Sequence, residues 1–200
     1  MTVMRKISYR SMLVLLALSG PLAGCVSFGA KAPPAMLVLT AANGVQGGAA
    51  KSGAASDALI ILLPDVPRKI DTNRIPVQID DSSIAYVKDA VWADKPARLM
   101  QLLLMETVSA KTGRLVLNEV DAGGKAQQYL SGSLIEFGID ANDMEAVVIY
   151  DAVKLVRGQV VEKKRFEARK PLLKVEAALA GAALNTAAND VAVQIATWVG

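Results

Sequence analysis

The sequence predicts an α+β fold, an antiparallel or mixed sheet with two helices packed on one face, and three observations predict it. Apolar blocks with strand character are bounded by Pro, Gly, Asn and Asp. Two longer stretches without breakers show helical spacing, one in mid-chain and one at the end. The second half carries strand blocks joined by short turn motifs, as a meander of hairpins requires. With 200 residues, the chain suffices for one domain with its own core. A composition of 52% hydrophobic and 20% charged residues excludes disorder, although alanine and the first 24 residues carry much of the apolar excess.

Residues 1–24 read as an export signal rather than as part of the fold. Arg5, Lys6 and Arg10 precede a run that is uncharged through Gly24. Residues 11–24 number only 14, against the roughly 20 that a bilayer core asks for, so the segment is expected to be removed. The site Leu22-Ala23-Gly24-Cys25 resembles the lipobox of bacterial lipoproteins. In that motif the cysteine sulfur takes a diacylglyceryl group and the amine freed by cleavage is acylated, with palmitate among the chains. The resemblance implies lipid attachment at Cys25. Each buried methylene contributes about 0.8 kcal/mol and one chain alone gives marginal attachment, so three chains hold a protein on the membrane permanently. The single cysteine is then an anchor point, with no disulfide or thiol chemistry left to it. The alternative is a free thiol in a periplasmic protein.

Removal of the signal changes the charge. Taking Arg5, Lys6 and Arg10 from the 22 Lys and Arg leaves 19, equal to the 19 Asp and Glu. The basic excess behind the sequence pI of about 9.0 thus lies wholly in the signal, which excludes nucleic acid as a partner.

Residues 25–57 form a lipidated tether, a first strand and a flexible loop. In "AMLVLTA" Leu37 and Leu39 share one face, and 42–56 is too rich in Gly, Ala and Ser to bury anything. Residues 58–200 are the remainder of the single domain. "DALIILLPDVP" is a continuous apolar run suited to the centre of a sheet. "NRIPVQID" points Ile75, Val77 and Ile79 inward, and Pro76 asks for an edge or a bulge. "SSIAYVKDAVW" supplies another strand. Asp94 before Lys95-Pro96 is a helix start with a capping side chain and proline in the first turn. The helix runs over 97–110, and Gly113 ends it.

Four strands are expected next, "RLVLNEV", "QQYLSGSLIEFGID", "EAVVIYDAVKLV" and "QVVEKKRFEAR", with turns at "DAGGK", "ANDM" and Arg157-Gly158. After Pro171, Ala177, Leu184, Val191, Ile195 and Trp198 recur at helical spacing. A long amphipathic helix therefore closes the chain, packed on the sheet and leaving the other sheet face open to solvent or a partner.

The sequence has no histidine, which excludes imidazole ligands and histidine-dependent nucleophilic catalysis. No catalytic, cofactor-binding or metal residues are expected, and no cofactor. The densest acids, Asp80-Asp81 and Asp140, Asp143 and Glu145, fall at turns that favour Asp for backbone reasons. Gly123-Gly124-Lys125 lacks the Ser/Thr and preceding glycine of a phosphate loop. Lys163, Lys164, Arg165 and Arg169 form a basic run; a solvated edge strand guarded by lysines is the plain reading, contact with lipid headgroups the other.

The order of these elements resembles the ABC-type transport auxiliary lipoproteins, which include the PqiC-like proteins. The resemblance is carried by the lipobox, the strand around Leu37, "LLPDVPRKIDTNRIPVQ", "VWADKPARLMQLLL" with Trp92, "LIEFGID", "VVIYDAVKLV" and "AALNTAANDVAVQIATWV". It departs from the family's pattern at Met36 and Leu37, where an aromatic residue is usual, and in the length of the 42–56 loop. The resemblance implies a non-enzymatic subunit beside an ABC permease, its ATPase and an MCE-type substrate-binding protein, moving phospholipid or another hydrophobic molecule across the envelope. Val26 after the cysteine, in place of aspartate, implies an outer-membrane lipoprotein facing the periplasm, and a homo-oligomer is compatible with ring-forming relatives. The expected docking surface is the open sheet face or its edge strand, with Lys163 and Arg165 as the candidate residues. The rival reading is a structural or assembly lipoprotein of the outer membrane without a transporter.

Overall fold

The computed structural model describes residues 35–200, apart from Gly158 and the side chain of Val161. The lipobox, Cys25 and most of the tether lie outside the described residues. In chain order the elements are β1 (Leu59–Ile61), β2 (Arg74–Gln78), β3 (Ile84–Val91), α1 (Pro96–Thr112), β4 (Val116–Leu117), α2 (Glu119–Ala122), β5 (Gln128–Asp140), β6 (Glu145–Val156), β7 (Gln159–Pro171) and α3 (Ala177–Val199). The strands form one mixed sheet, so the predicted α+β architecture holds.

β5 organises the sheet. Along one edge it pairs antiparallel with β6 over its whole length, and β6 pairs with β7. Its other edge is shared: β1 lies parallel against 128–130 and β2 parallel against 139–140. Between them the chain after β1 keeps to the edge, with Leu62 N–H donating to the Leu130 carbonyl (2.9 Å) and Asp65 N–H to that of Gly132 (3.0 Å). β4 extends β1 in parallel, and β3 extends β2 antiparallel across a register shift beside Pro76.

Side chains alternate between the two faces, and the register assigns them. Leu130, Leu134, Phe137 and Ile139 of β5, Ala146, Val148, Tyr150 and Ala152 of β6, and Phe166 and Ala168 of β7 lie buried on the helix side. Burying each large apolar side chain there contributes about 1.5–3 kcal/mol. Trp92 meets Phe137 with ring centroids 5.5 Å apart, a tilted aromatic contact. α3 answers with Leu184, Val191 and Ile195 on its buried stripe, and its alanines let it sit close to the sheet and to α1. Gln101 anchors α1 to the sheet by donating to the Ile61 carbonyl (2.8 Å). Tyr150 OH is buried and finds no hydrogen-bond partner among the described residues. Burial, with the nearby charge of Asp65 adding to it, pushes this phenol above its ordinary range.

The helix layer carries a strap made by residues 37–51. Leu37 forms a parallel bridge with Trp92, donating from its N–H to Val91 O and accepting from Ala93 N–H, both at 2.8 Å. It packs against Gly181, where a Cβ would stand 2.8 Å from Leu37 Cδ2. Asn185 Oδ1 takes the Thr40 N–H (2.8 Å). Asn189 takes the Ala42 N–H (2.7 Å) and returns a bond to the Thr40 carbonyl (2.9 Å). Further on, Glu106 accepts from Val45 N–H (2.5 Å) and Lys51 reaches the carbonyl and hydroxyl of Ser109.

Several local expectations change. The first strand reduces to the Leu37 bridge, with Leu37 and Leu39 against the core as expected and Met36 and Val38 outside. Ile79 is exposed, because β2 ends at Gln78 and the Asp80 turn begins. "RLVLNEV" is no member of the meander: Val116 and Leu117 pair in parallel with β1, and Asn118 then caps α2 by accepting from Asp121 N–H. Gly123 and Gly124, both at positive φ, end α2 instead of turning a hairpin. α1 starts on Lys95 with Pro96 in its first turn and stops at left-handed Gly113, whereas Asp94 spends its carboxylate on Lys95 N–H. α3 begins at Ala177, leaving Leu173 outside it and exposed. The 42–56 loop is largely exposed, as its composition implies, yet polar bonds tie it to α1.

Gly132 sits where the Tyr150 ring crosses β5: a Cβ there would lie 2.6 Å from Tyr150 Cε1 and would press on the Asp151 carbonyl. Gly132→Ala is therefore expected to lower unfolding stability by about 1–3 kcal/mol. Gly53→Ala, whose Cβ meets nothing nearer than Leu115 at 3.8 Å, stays within about 0.5 kcal/mol. Urea titration of both variants measures the contrast.

Candidate docking surface

Opposite α1 and α3, α2 packs on one corner of the sheet, with Ala122 and Ala126 against Ile60 and Tyr129. The rest of the β5, β6 and β7 face carries no helix among the described residues. Its rows follow from the register: Ser131, Ser133 and Glu136 on β5; Glu145, Val147, Ile149, Asp151 and Val153 on β6; Lys163, Arg165, Glu167 and Arg169 on β7. Lys163 and Arg165 therefore lie on this face and on the edge strand as well.

Neither stands free. Arg165 grips Asp151 with two parallel hydrogen bonds, Nε to Oδ1 at 2.6 Å and Nη2 to Oδ2 at 2.9 Å. Lys163 Nζ approaches the same carboxylate at 3.4 Å. Asp151 is itself almost buried, with its side chain 11% exposed, while the two cations reach over it from the edge. The Arg165 hydrogen bonds, opposed by desolvation, hold the Asp151 carboxyl below its usual range. Farther along, Arg169 is shared between Glu167 (2.6 Å) and Glu145 (3.6 Å), and Lys69 bonds Glu136 (2.5 Å). Lys164 turns to the helix side, 5.3 Å from the Phe166 ring centre. Glu162 accepts from Trp198 Nε1 (2.9 Å), and Lys154 stands 4.1 Å over the Trp198 ring.

The backbone of β7 has a definite polarity. Leu172 N–H donates to Met144 O at 2.7 Å, so counting by twos along the register turns the backbone groups of Lys164, Phe166, Ala168 and Lys170 toward β6. Those of Lys163, Arg165, Glu167 and Arg169 point outward. Gln194 Nε2, reaching the Glu167 carbonyl from α3 at 3.3 Å, fits this assignment and covers that group.

Asp151 is the residue sequence reasoning misses. Counting back from the turn at 157–158 places Asp151 opposite Lys164. A bulge shifts the pairing by one, from Leu155↔Val160 to Lys154↔Glu162, and brings Arg165 opposite instead. The other acids stay at turns. Asp80 accepts from the amide and hydroxyl of Ser82, bonds that lower its pKa, and Asp140 accepts from the amides of Asn142 and Asp143. Among the described residues no group of three or more acidic, Cys or His side chains is placed to hold a metal ion. No helix there is long and apolar enough to cross a membrane.

Residues 38–196 match the family model of the ABC-type transport auxiliary lipoprotein component. The chain belongs to that family, a family of cell-envelope lipoproteins associated with ABC transport rather than a known enzyme family. Its fold is similar to that of protein XCC0632 from Xanthomonas campestris, at 20% identity and a TM-score of 0.61, covering 71% of this chain and 83% of that one. It is also similar to an uncharacterised protein of solved structure, at 16% identity and a TM-score of 0.64, covering 76% of this chain and 97% of that one. A comparison with curated proteins finds no match.

The depressed Asp151 pKa has a consequence for stability. The contribution of this carboxylate is present above its unfolded-state pKa and is lost as pH falls through the lower folded-state value. Asp151→Asn is expected to melt below the parent at pH 7, with the difference closing once acid protonates the parent carboxyl. Thermal melts across the acid range read the convergence.

Proposed function

We propose that this chain is a non-enzymatic, lipid-anchored subunit of an ABC/MCE-type system that moves phospholipid or another hydrophobic molecule across the cell envelope. The observation that carries the reading is the face of β5, β6 and β7 opposite α1 and α3, which carries an ordered lattice of ion pairs in a member of a transport auxiliary family. Cys25 is the lipid attachment site and Leu22, Ala23 and Gly24 its lipobox. Val26 after the cysteine favours the outer membrane, with the folded part in the periplasm. The open face around Lys163 and Arg165 docks the MCE-type substrate-binding protein, and the permease and ATPase are partners through the same system. Self-association into a homo-oligomer belongs to this reading too.

Two features support docking over catalysis. The pKa values of Asp80, Asp151 and Glu162 are all moved downward, whereas a carboxylic acid that donates a proton near neutrality needs an upward shift. A hollow of about 440 Å³ lies beside α1 and α2, where Gln101 is spent on Ile61 and Arg98 on Gln101.

A photo-crosslinking residue introduced at position 163 or 165 in cells is expected to capture the MCE-type protein. Adducts only with other envelope proteins, or none, would sink the docking reading. Cys25→Ser is expected to move the protein from the membrane to the soluble fraction, with mass spectrometry of the parent's N-terminal peptide showing the acyl chains. An unmodified peptide would end the anchor reading.

A further inference from the structure

The outward edge of β7 is a built acceptor for one kind of segment. We propose that Lys163 and Arg165 bind an extended acidic segment of a partner protein, added as a further strand beside β7, with carboxylates at alternate positions. This rests on the docking reading above and names the chemistry of what docks.

Three observations lead to it. First, Lys163 and Arg165 present both backbone N–H and C=O away from β6, and an added strand satisfies such groups. Glu167, the next outward residue, already gives its carbonyl to Gln194, so the open stretch is the one before it. Second, the side chains of these two residues lie on one face, so an added strand sets every second side chain beside them. Third, the charge there is unbalanced. Lys163 and Arg165 both close on the carboxylate of Asp151, and the next acid along the strand, Glu167, is bonded to Arg169; Lys164 lies on the other face, beside the Phe166 ring and the Glu162 carboxylate. One or two carboxylates at alternate positions of an added strand complete the Asp151 cluster.

The same charges disfavour a second copy. With Glu167 covered, two β7 edges must pair antiparallel about a centre near Lys163 or Lys164. A centre at Lys163 sets that lysine opposite itself, and one at Lys164 sets Lys163 opposite Arg165; like charges directly opposite are destabilising.

Hydrogen exchange on the full lipidated chain in phosphatidylcholine nanodiscs tests this, with two probes: a ten-residue peptide alternating Glu and Thr, and its Lys–Thr counterpart. The acidic peptide is expected to slow exchange at the Lys163 and Arg165 amides roughly tenfold, with the basic one leaving them unchanged. Lys163→Glu should abolish protection by the acidic peptide. Lys163→Pro, which removes an N–H that β6 does not use, should do the same while core exchange is retained. If the proline variant unfolds, Lys163→Glu decides alone. Absent or equal protection by the two peptides overturns the proposal. So does protection that grows with protein concentration alone, which means a second copy, or that appears in phosphatidylglycerol nanodiscs without peptide, which means a headgroup surface. Crosslinks at 163 and 165 without amide protection would leave the docking reading standing and remove strand addition. Protection without crosslinks would do the reverse.

Discussion

Every branch of the sheet is joined through β5, a single strand with two differently used edges. One edge is spent on the antiparallel ladder with β6, and the other is divided between β1 near its start and β2 near its end. The division explains the small residues in "QYLSGSLIEFGID". Gly132 lets the Tyr150 ring lie across the strand, and Gly138 makes room for Pro76, whose Cγ would stand 2.9 Å from a Cβ there. Because Pro76 has no N–H, β2 pairs with β3 through a register shift at that point.

Seating α1 and α3 on one face of the sheet sets the character of both sides of β5, β6 and β7. Beneath α1 and α3 the packing is apolar and close, and the alanines of α3 allow that approach. On the other face the middle strand supplies Asp151 and Glu145, and the edge strand supplies the cations that close over them. The order is one of geometry more than of strength, since exposed ion pairs contribute little and the bidentate Arg165 contact is the most directional of them.

How much of this was legible depends on whether a feature is local. The span of α1, its proline start and its stop at Gly113, the β5–β6–β7 hairpins and the buried face of α3 all follow from neighbouring residues, and they appear as read. Val116 and Leu117 read as part of the meander, but their pairing is chosen by β1 more than fifty residues earlier, so composition could not assign it. The Asp151–Arg165 contact hinges on one extra residue in β7 that no turn motif announces. The strap depends on Asn185 and Asn189, which in sequence are two polar positions of an amphipathic helix. Their partners lie 145 and 147 residues away.

That strap bears on how the molecule takes a load. It runs alongside α3, packed on Gly181 and bonded to Asn185 and Asn189, and its first link is a pair of backbone bonds astride Trp92. A pull on the chain ahead of Leu37, directed back toward the start of α3, would strain those attachments together, in shear. A pull outward from the helix would break them one after another, like a zip. The described domain is thus tougher toward tension from one direction than from the other, a mechanical bias set by two asparagine side chains and one leucine.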